Sequence, residues 1–267
     1  MKRLLLVVLV VVLVAIGYIL FNTLTFSSRQ IKAEPVPHVE VPESSIRNFS
    51  RALSIPTVSH EDPAEFDSAA FYAFRSFVKE AYPLTDSLLE VTYINEFSIM
   101  VNWQGSDPSL KPFIMLGHID VVPVDREDVA KWSVPPFSGE IKDGKIWGRG
   151  AIDDKISVIG NLEAVEMLLQ EGFQPNRSLY LCFGHDEEIG GYNGAVAIVE
   201  HLQNLNVEAE FVLDEGFAIT QGMVPGMEKD VALIGTAEKG FLSLELSYSS
   251  VPDELVNCRH LFCTPFS

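Results

Sequence analysis

Cysteine is scarce in this chain. Cys182, Cys258 and Cys263 are the only three in 267 residues. The odd number and the length exclude a fold built on disulfides. Basic residues are few as well: 19 Lys and Arg stand against 37 Asp and Glu, a net charge of −18. A surface of that sign repels a phosphate backbone, so no nucleic-acid partner is expected. The acids are not spaced as alternating ligands in a loop, which excludes a calcium-binding module of that kind. There is no internal repeat and no low-complexity tract beyond the N-terminal run. Apolar residues, in contrast, are plentiful at 47%. They can bury a core, and this excludes a disordered acidic tail. The length allows one large domain or two smaller ones. Acidic excess alone is ordinary solubility, so the informative question is whether some of the acids are ligands.

No acid precedes Glu34. Met1, Lys2 and Arg3 form a short basic start, and Leu4–Phe21 is almost wholly apolar. This is a secretory-pathway entry segment, at the border between a signal-peptide core and a membrane-spanning helix. The lack of a clean Ala-x-Ala site favours an uncleaved type II anchor over a cleaved signal. Either way the body is lumenal or extracellular. The sequons Asn48-Phe49-Ser50 and Asn176-Arg177-Ser178 are compatible with that placement.

Pro35, Pro37 and Pro42 mark a linker over 27–45, after the segment 1–26. Helical spacing follows near Ile46–Leu53, over Ala64–Ala81, over Asp153–Glu171 and over Gly194–Leu202. Strands are predicted at Leu88–Tyr93, Ile99–Trp103, Pro112–Leu116, Leu179–Phe183, Ala209–Leu213, Val231–Ile234 and Leu242–Tyr248. Gly139–Gly148 reads as a hairpin turning at Asp143-Gly144. Strands alternating with helices predict an α/β fold, a sheet flanked by helices on both faces.

Acid and histidine clusters follow four of these strands. They are Gly117-His118-Ile119-Asp120, Asp153-Asp154-Lys155, His185-Asp186-Glu187-Glu188 and Asp214-Glu215. Taken singly, a His-x-Asp or a Glu-Glu pair is ordinary surface chemistry. Their joint position after strands, each flanked by glycine, is not, because α/β sites assemble outside the carboxyl ends of strands. Converging carboxylates resist burial together. One imidazole among several carboxylates suits zinc or another divalent ion. His185, Trp132 and the stripe Val158, Leu162, Val165, Leu168, Leu169 are read as packing residues, and Lys155 as neutralising local acids.

The stretches GHIDVVPV, WSVPPFSGEIKDGKIWGRGAIDDK and GHDEEIGG, followed by DEG, occur in this order. Together they resemble the aminoacylase/carboxypeptidase family of co-catalytic zinc hydrolases. Within it they are most similar to the branch of secreted N-fatty-acyl-amino acid synthase/hydrolases and vacuolar Gly-X carboxypeptidases. The similarity runs from about Ile46 to Ser247. It implies a zinc-peptidase-like mixed sheet, and a catalytic domain over 46–236. It also implies two zinc ions and a small-molecule substrate, an N-acyl amino acid or a peptide, whose amide bond is cleaved or formed. By the same resemblance His118, Asp153, Glu188 and Asp214 would be metal ligands, with Asp153 shared between the ions and joined to Asp154 by a cis peptide. Asp120 would orient His118, and Glu187 would be the general base.

The sequence also departs from the family pattern. Lys239–Ser250 resembles the first strand of the family's lid and dimerisation domain, expected over 237–250. The residues that follow, VPDELVNCRHLFCTPFS at 251–267, are a divergent tail without the Gly-His segment that the family has next. His260 matches no family position, and the family's distal zinc-binding histidine has no counterpart. The resemblance therefore implies an incomplete second zinc site, a mostly absent dimerisation domain and, as the alternative function, an inactive truncated form that keeps partial metal binding.

Overall fold

A computed structural model describes residues 2–27, 39–216 and 219–236. They fall in two units, Met1–Val41 and Pro42–Ser267. The first unit contains α1 (Lys2–Thr25). Its Arg3–Thr25 stretch has a mean hydropathy of 3.3 and is long and apolar enough to cross a membrane. At 1.5 Å per residue the helix reaches about 36 Å, more than a hydrocarbon core of about 30 Å.

The second unit opens with α2 (Glu43–Leu53), α3 (Ser68–Ala81) and α4 (Pro83–Leu88). Then come β1 (Glu90–Ile94), β2 (Ser98–Trp103) and β3 (Phe113–His118), and the small hairpin of β4 (Ile141–Lys142) and β5 (Lys145–Ile146). Helix α5 (Lys155–Gln170), β6 (Leu179–Gly184), α6 (Ala195–Asn204) and β7 (Phe211–Leu213) complete it. The main sheet runs in the order β1-β2-β6-β3-β7. β2 is antiparallel to β1 and β6, whereas β3 is parallel to both β6 and β7. The mixed sheet agrees with the expected fold class. Its parallel part carries the carboxyl ends of β3, β6 and β7 to one end of the sheet, where the acid clusters begin.

The central strands are buried on both faces, and their side chains alternate with the period of two that strand geometry imposes. Ile99, Val101, Trp103, Leu179, Leu181 and Phe183 pack with α2, α3 and α5 residues such as Leu53, Phe71, Phe74 and Leu162. Met100, Ile114, Tyr180 and Cys182 face the other way, towards Ile198 and Leu202 of α6. Val158, Leu162 and Val165 are buried in the first of these clusters, with Leu168 and Leu169 packed against it.

Local signals explain most element ends. Asp143 and Gly144 take positive φ of 54° and 71° at the turn between β4 and β5, the backbone that a tight hairpin requires. Asp67 Oδ1 accepts the N–H of Ala69 at 3.1 Å and starts α3. This cap divides the helix predicted over Ala64–Ala81, leaving a single 3₁₀ turn at Pro63–Glu65. Helix α4 was not predicted. Pro83 stands in its first turn, where its missing N–H costs nothing. Glu166 of α5 then accepts the N–H groups of Leu84 and Thr85, both at 2.9 Å. That cap comes from a distant part of the chain. Helix α2 begins at Glu43, inside the segment read as linker. Val231 forms an isolated bridge with Thr220 rather than the predicted strand Val231–Ile234. Residues 28–38 of the linker, the strand Leu242–Tyr248, the lid strand, the tail, Cys258, Cys263 and His260 lie outside the described residues.

Glu163 fastens α5 to α2. Its Oε2 accepts from Ser45 Oγ at 2.7 Å, and its Oε1 accepts from Asn48 Nδ2 at 2.8 Å and from Tyr82 Oη at 3.0 Å. Truncation would strand these donors in a partly buried interface. Glu163→Ala is therefore expected to lower unfolding free energy by about 1–3 kcal/mol, read as a lower urea midpoint with an unchanged denaturant slope.

Candidate metal centre

β3 ends on His118, which is 1% exposed. Its Nδ1 lies 3.0 Å from the backbone oxygen of Asp120 and 3.3 Å from Asp120 Oδ1. A proton on Nδ1 donated to these oxygens leaves Nε2 facing the acids, the usual way a ligand imidazole is oriented. Nε2 is 2.9 Å from Asp153 Oδ1, 3.5 Å from Glu215 Oε1 and 3.8 Å from Glu187 Oε2. Ligand atoms of His118, Asp153 and Glu188 lie within 4.8 Å of one another, and so do those of His118, Asp154 and Glu215.

Asp120 is fully buried and organises the floor. Its Oδ2 accepts from Ser59 Oγ at 2.6 Å and from the N–H of Glu188 at 3.1 Å, while Oδ1 accepts from the N–H of Glu187 at 3.2 Å. Burial opposes its charge, but the hydrogen bonds from His118 and Ser59 prevail and hold its carboxyl below the usual range. Asp120 thus positions the imidazole and the two glutamates at once.

Tight backbone contacts make room for the acids. A Cβ on Gly117 would stand 2.8 Å from Asp154 Oδ2, so the residue before His118 has space for no side chain. Gly150 has φ of +82°, a conformation open to glycine, where the chain turns from the hairpin into the acid loop. The Asp153–Asp154 peptide is cis. Asp154 Oδ2 accepts the N–H of His118 at 3.2 Å, while Oδ1 is buried with no hydrogen-bond partner among the described residues. Lys155, also fully buried, donates to the carbonyl oxygens of Ala52 and Ile55 at 3.1 and 2.6 Å.

The electrostatics are those of a crowded anionic site. Burial, then Asp153, pushes Glu188 up to about 7. Burial also raises Asp154 to about 6. Glu187 is raised by burial and by Glu215, Asp120 and Asp153, against the pull of His118. Burial disfavours the imidazolium of His118, yet Asp120 and Glu215 push it up to about 12. In the protein alone a proton on His118 supplies the positive charge that the carboxylates demand. An imidazole with several carboxylates, one keeping a buried oxygen with no partner among the described residues, is a donor set that fits a divalent cation.

Of the residues singled out from the sequence, His118, Asp120, Asp153, Glu187 and Glu188 come together here. Asp214 lies beside Glu215, whose N–H its Oδ1 accepts at 2.9 Å. Both line a cleft of about 230 Å³ with Leu116, Asn161 and Leu213. Sequence reasoning placed Glu215 and Asp154 in the acid clusters but gave neither a ligand role, whereas the structure sets both beside His118. The signal for both was present, since each directly follows an assigned aspartate. His185 is buried with Nδ1 2.6 Å from Ser98 Oγ, beside the rings of Phe71 and Phe97, which suits a packing role. A larger cavity of about 650 Å³, lined by Leu88, Asn102, Trp103 and Phe173, sits at the other end of β2 and gathers no such cluster.

The model of peptidase family M20/M25/M40 matches residues 114–253. The chain is 41% identical over 248 residues to N-fatty-acyl-amino acid synthase/hydrolase PM20D1 of Xenopus tropicalis, covering 91% of this chain and 48% of that protein. It is 42% identical over 244 residues to probable carboxypeptidase S-like 2 of Dictyostelium discoideum, covering 87% and 47%. These relatives belong to the branch that the motifs resemble, and the chain spans about half the length of the curated relatives it matches. Among solved structures, the M20 family metallo-carboxypeptidase Sso-CP2 from Sulfolobus solfataricus superimposes with a TM-score of 0.51 at 22% identity, over 66% of this chain and 38% of that one. That likeness is one of fold.

Replacing Asp120 tests the orienting role. Asp120→Asn sets an amide N–H₂ against donors that now meet a carboxylate. Zinc affinity, measured by competition with a chromophoric chelator, is expected to fall roughly 10–100-fold; unchanged affinity would argue against that role.

Proposed function

The chain belongs to peptidase family M20/M25/M40, and from that premise we infer that its site serves a metal-dependent amidohydrolase acting on N-acyl amino acids or small peptides. The observation that carries this reading is the convergence of ligand atoms of His118, Asp153 and Glu188 within 4.8 Å at the carboxyl end of the parallel strands.

We assign the metal-holding role to His118, Asp153, Glu188 and Asp214, with zinc as the ion and two ions as the full complement. When bound there, the ions would polarise an amide carbonyl and acidify a water molecule. The remaining work belongs to the chain. Asp120 holds the imidazole of His118 with Nε2 forward. Glu188 and Asp153 supply anionic oxygens whose repulsion a cation relieves. Glu187 is half-exposed and stands at the rim, where it can reach water. Its raised pKa suits a group that accepts a proton readily: its carboxylate takes one from the attacking water and passes it to the departing amine nitrogen. The same residue could deliver these protons in reverse for condensation, so the direction is set by the concentrations of acid and amine rather than by this carboxylate.

Support for substrate class comes from the relatives, one described as an N-fatty-acyl-amino acid synthase/hydrolase and one as a probable carboxypeptidase S-like protein. We place the body in the secretory pathway, lumenal or extracellular, on the strength of the apolar helix Lys2–Thr25.

The decisive experiment compares the adjacent glutamates. Glu187→Gln is expected to retain the metal content of the parent while hydrolysis of an N-oleoyl amino acid drops about 10²–10⁴-fold. Glu188→Gln is expected to lose metal, read by elemental analysis after dialysis. Equal metal loss in both variants would overturn the division of roles. Hydrolysis that survives a strong chelator would overturn the metal-dependent reading itself.

A further inference from the structure

The two Asn-x-Ser sequons have the same local grammar but opposite surroundings. Asn48 lies within α2 and is half-buried, and its Nδ2 donates to Glu163 Oε1 at 2.8 Å. The other two residues of that sequon are also built into the packing. Phe49 is in the main core, and Ser50 Oγ donates to the carbonyl of Gly139 at 2.6 Å. The nitrogen that would carry a sugar is thus already used in joining α2 to α5. Asn176 is exposed on the turn between α5 and β6. Its Oδ1 accepts from Ser106 Oγ at 3.2 Å, and among the described residues Nδ2 has no partner. Ser178 is buried, but its Oγ serves Gly105 and Gln104 without involving Asn176 Nδ2.

We propose that Asn176 is an N-glycosylation site of this protein and that Asn48 is not, a proposal that rests on reading Lys2–Thr25 as a secretory-pathway entry segment. The modification forms a bond between Asn176 Nδ2 and C1 of the first sugar of a lipid-diphosphate-linked oligosaccharide. The C1–oxygen bond to the diphosphate breaks, the lipid diphosphate leaves with the electron pair, and Nδ2 releases one proton. Transfer precedes folding, so both sequons are offered to the transferase. Folding then sorts the products. A sugar on Asn176 projects into solvent. A sugar on Asn48 would need to occupy the seam between α2 and α5 and would displace the Glu163 hydrogen bond, so chains modified there do not reach the folded state.

Position also makes the glycan compatible with the site. Asn176 precedes the amino end of β6, whereas Glu187 and Glu188 follow its carboxyl end. Six strand residues separate the two ends by about 20 Å. The sugar would shield the end of the sheet away from the metal cluster.

The test uses the full chain expressed in eukaryotic secretory cells, with peptide N-glycosidase digestion and residue-level mass spectrometry. A double variant, Arg126→Asn with Asp128→Thr, places a control sequon in an exposed turn. The folded parent is expected to show the electrophoretic shift of one glycan. The shift is expected to vanish in Asn176→Gln and persist in Asn48→Gln, and zinc binding is expected to be unchanged in Asn176→Gln. Sugar on Asn48 in folded protein, or an unmodified Asn176 in a chain whose control sequon is modified, overturns the assignment. If the control sequon is unmodified too, the secretory-entry reading fails and takes the assignment with it.

Discussion

Everything at the working end of this molecule depends on one electrostatic constraint: Asp153, Asp154, Glu187, Glu188 and Glu215 crowd around a single imidazole. Two unit charges about 4 Å apart interact by roughly 4 kcal/mol at an effective dielectric near 20. One protonated His118 cannot offset repulsion among several such groups, and burial, first of all, then neighbouring charge, favours the protonated acids. Glu188 and Asp154 rise to about 7 and 6, and His118 keeps its own proton up to about 12. Such a cluster gives up stability relative to an apolar packing of the same volume. Its members make chemical sense as ligands awaiting a cation, because a divalent charge removes the repulsion and the need for those protons together.

The fold maintains this crowding by fixing backbone before side chains. Parallel pairing of β3 with β6 brings His118 level with Gly184, so that the segments following both strands leave the sheet side by side. Asp120 then ties the two segments together, accepting the N–H groups of Glu187 and Glu188 while its backbone oxygen orients His118. Core packing from both faces holds the strands in register. On one face, aromatic residues of α3 such as Phe71 and Phe74 lie beneath the site; on the other, Ile198 and Leu202 of α6 cover Tyr180 and Cys182. The geometry of the acid cluster is thus a boundary condition of the sheet.

Those relations explain what could be read in the sequence. The predominantly apolar runs of Ile99–Trp103 and Leu179–Phe183, buried on both faces, and the Asp143-Gly144 turn are local, and the sequence displays each of them. The position of acids after strands follows from strand prediction together with the rule that sites gather at strand ends. Features decided by distant partners were not legible. Helix α4 depends on Glu166 capping from α5, and the division of the Ala64–Ala81 segment depends on Asp67 outcompeting the helical pattern around it. Glu215 stood in the predicted acid cluster but only Asp214 received a role, because adjacent acids cannot be ranked by spacing. Their ranking is settled only when the chain after β7 is set against His118. Val231–Ile234 carried a β-like composition but gains a single bridge, since apolar branching favours a strand only where a neighbour offers a ladder.

Lys155 shows how the acid cluster reaches into the rest of the fold. A buried ammonium without a carboxylate in contact would ordinarily be costly, and burial does pull this one down to about 7. Two influences oppose that cost. The negative charge of Asp120 raises its affinity for a proton. The carbonyl oxygens of Ala52 and Ile55 accept its hydrogen bonds at the C-terminal end of α2, where the helix dipole favours a cation. Lys155 is also the first residue of α5, directly after Asp153 and Asp154. The charge that steadies the acids from below is therefore covalently continuous with them and hydrogen-bonded to the opening helix of the domain. Movement of α2 relative to the acid loop would cost Lys155 its carbonyl partners, so the packing of an element remote from the chemistry is coupled to the placement of Asp153. The −18 net charge is mostly solvated surface, but at this point a buried lysine links the anionic centre to the hydrophobic core.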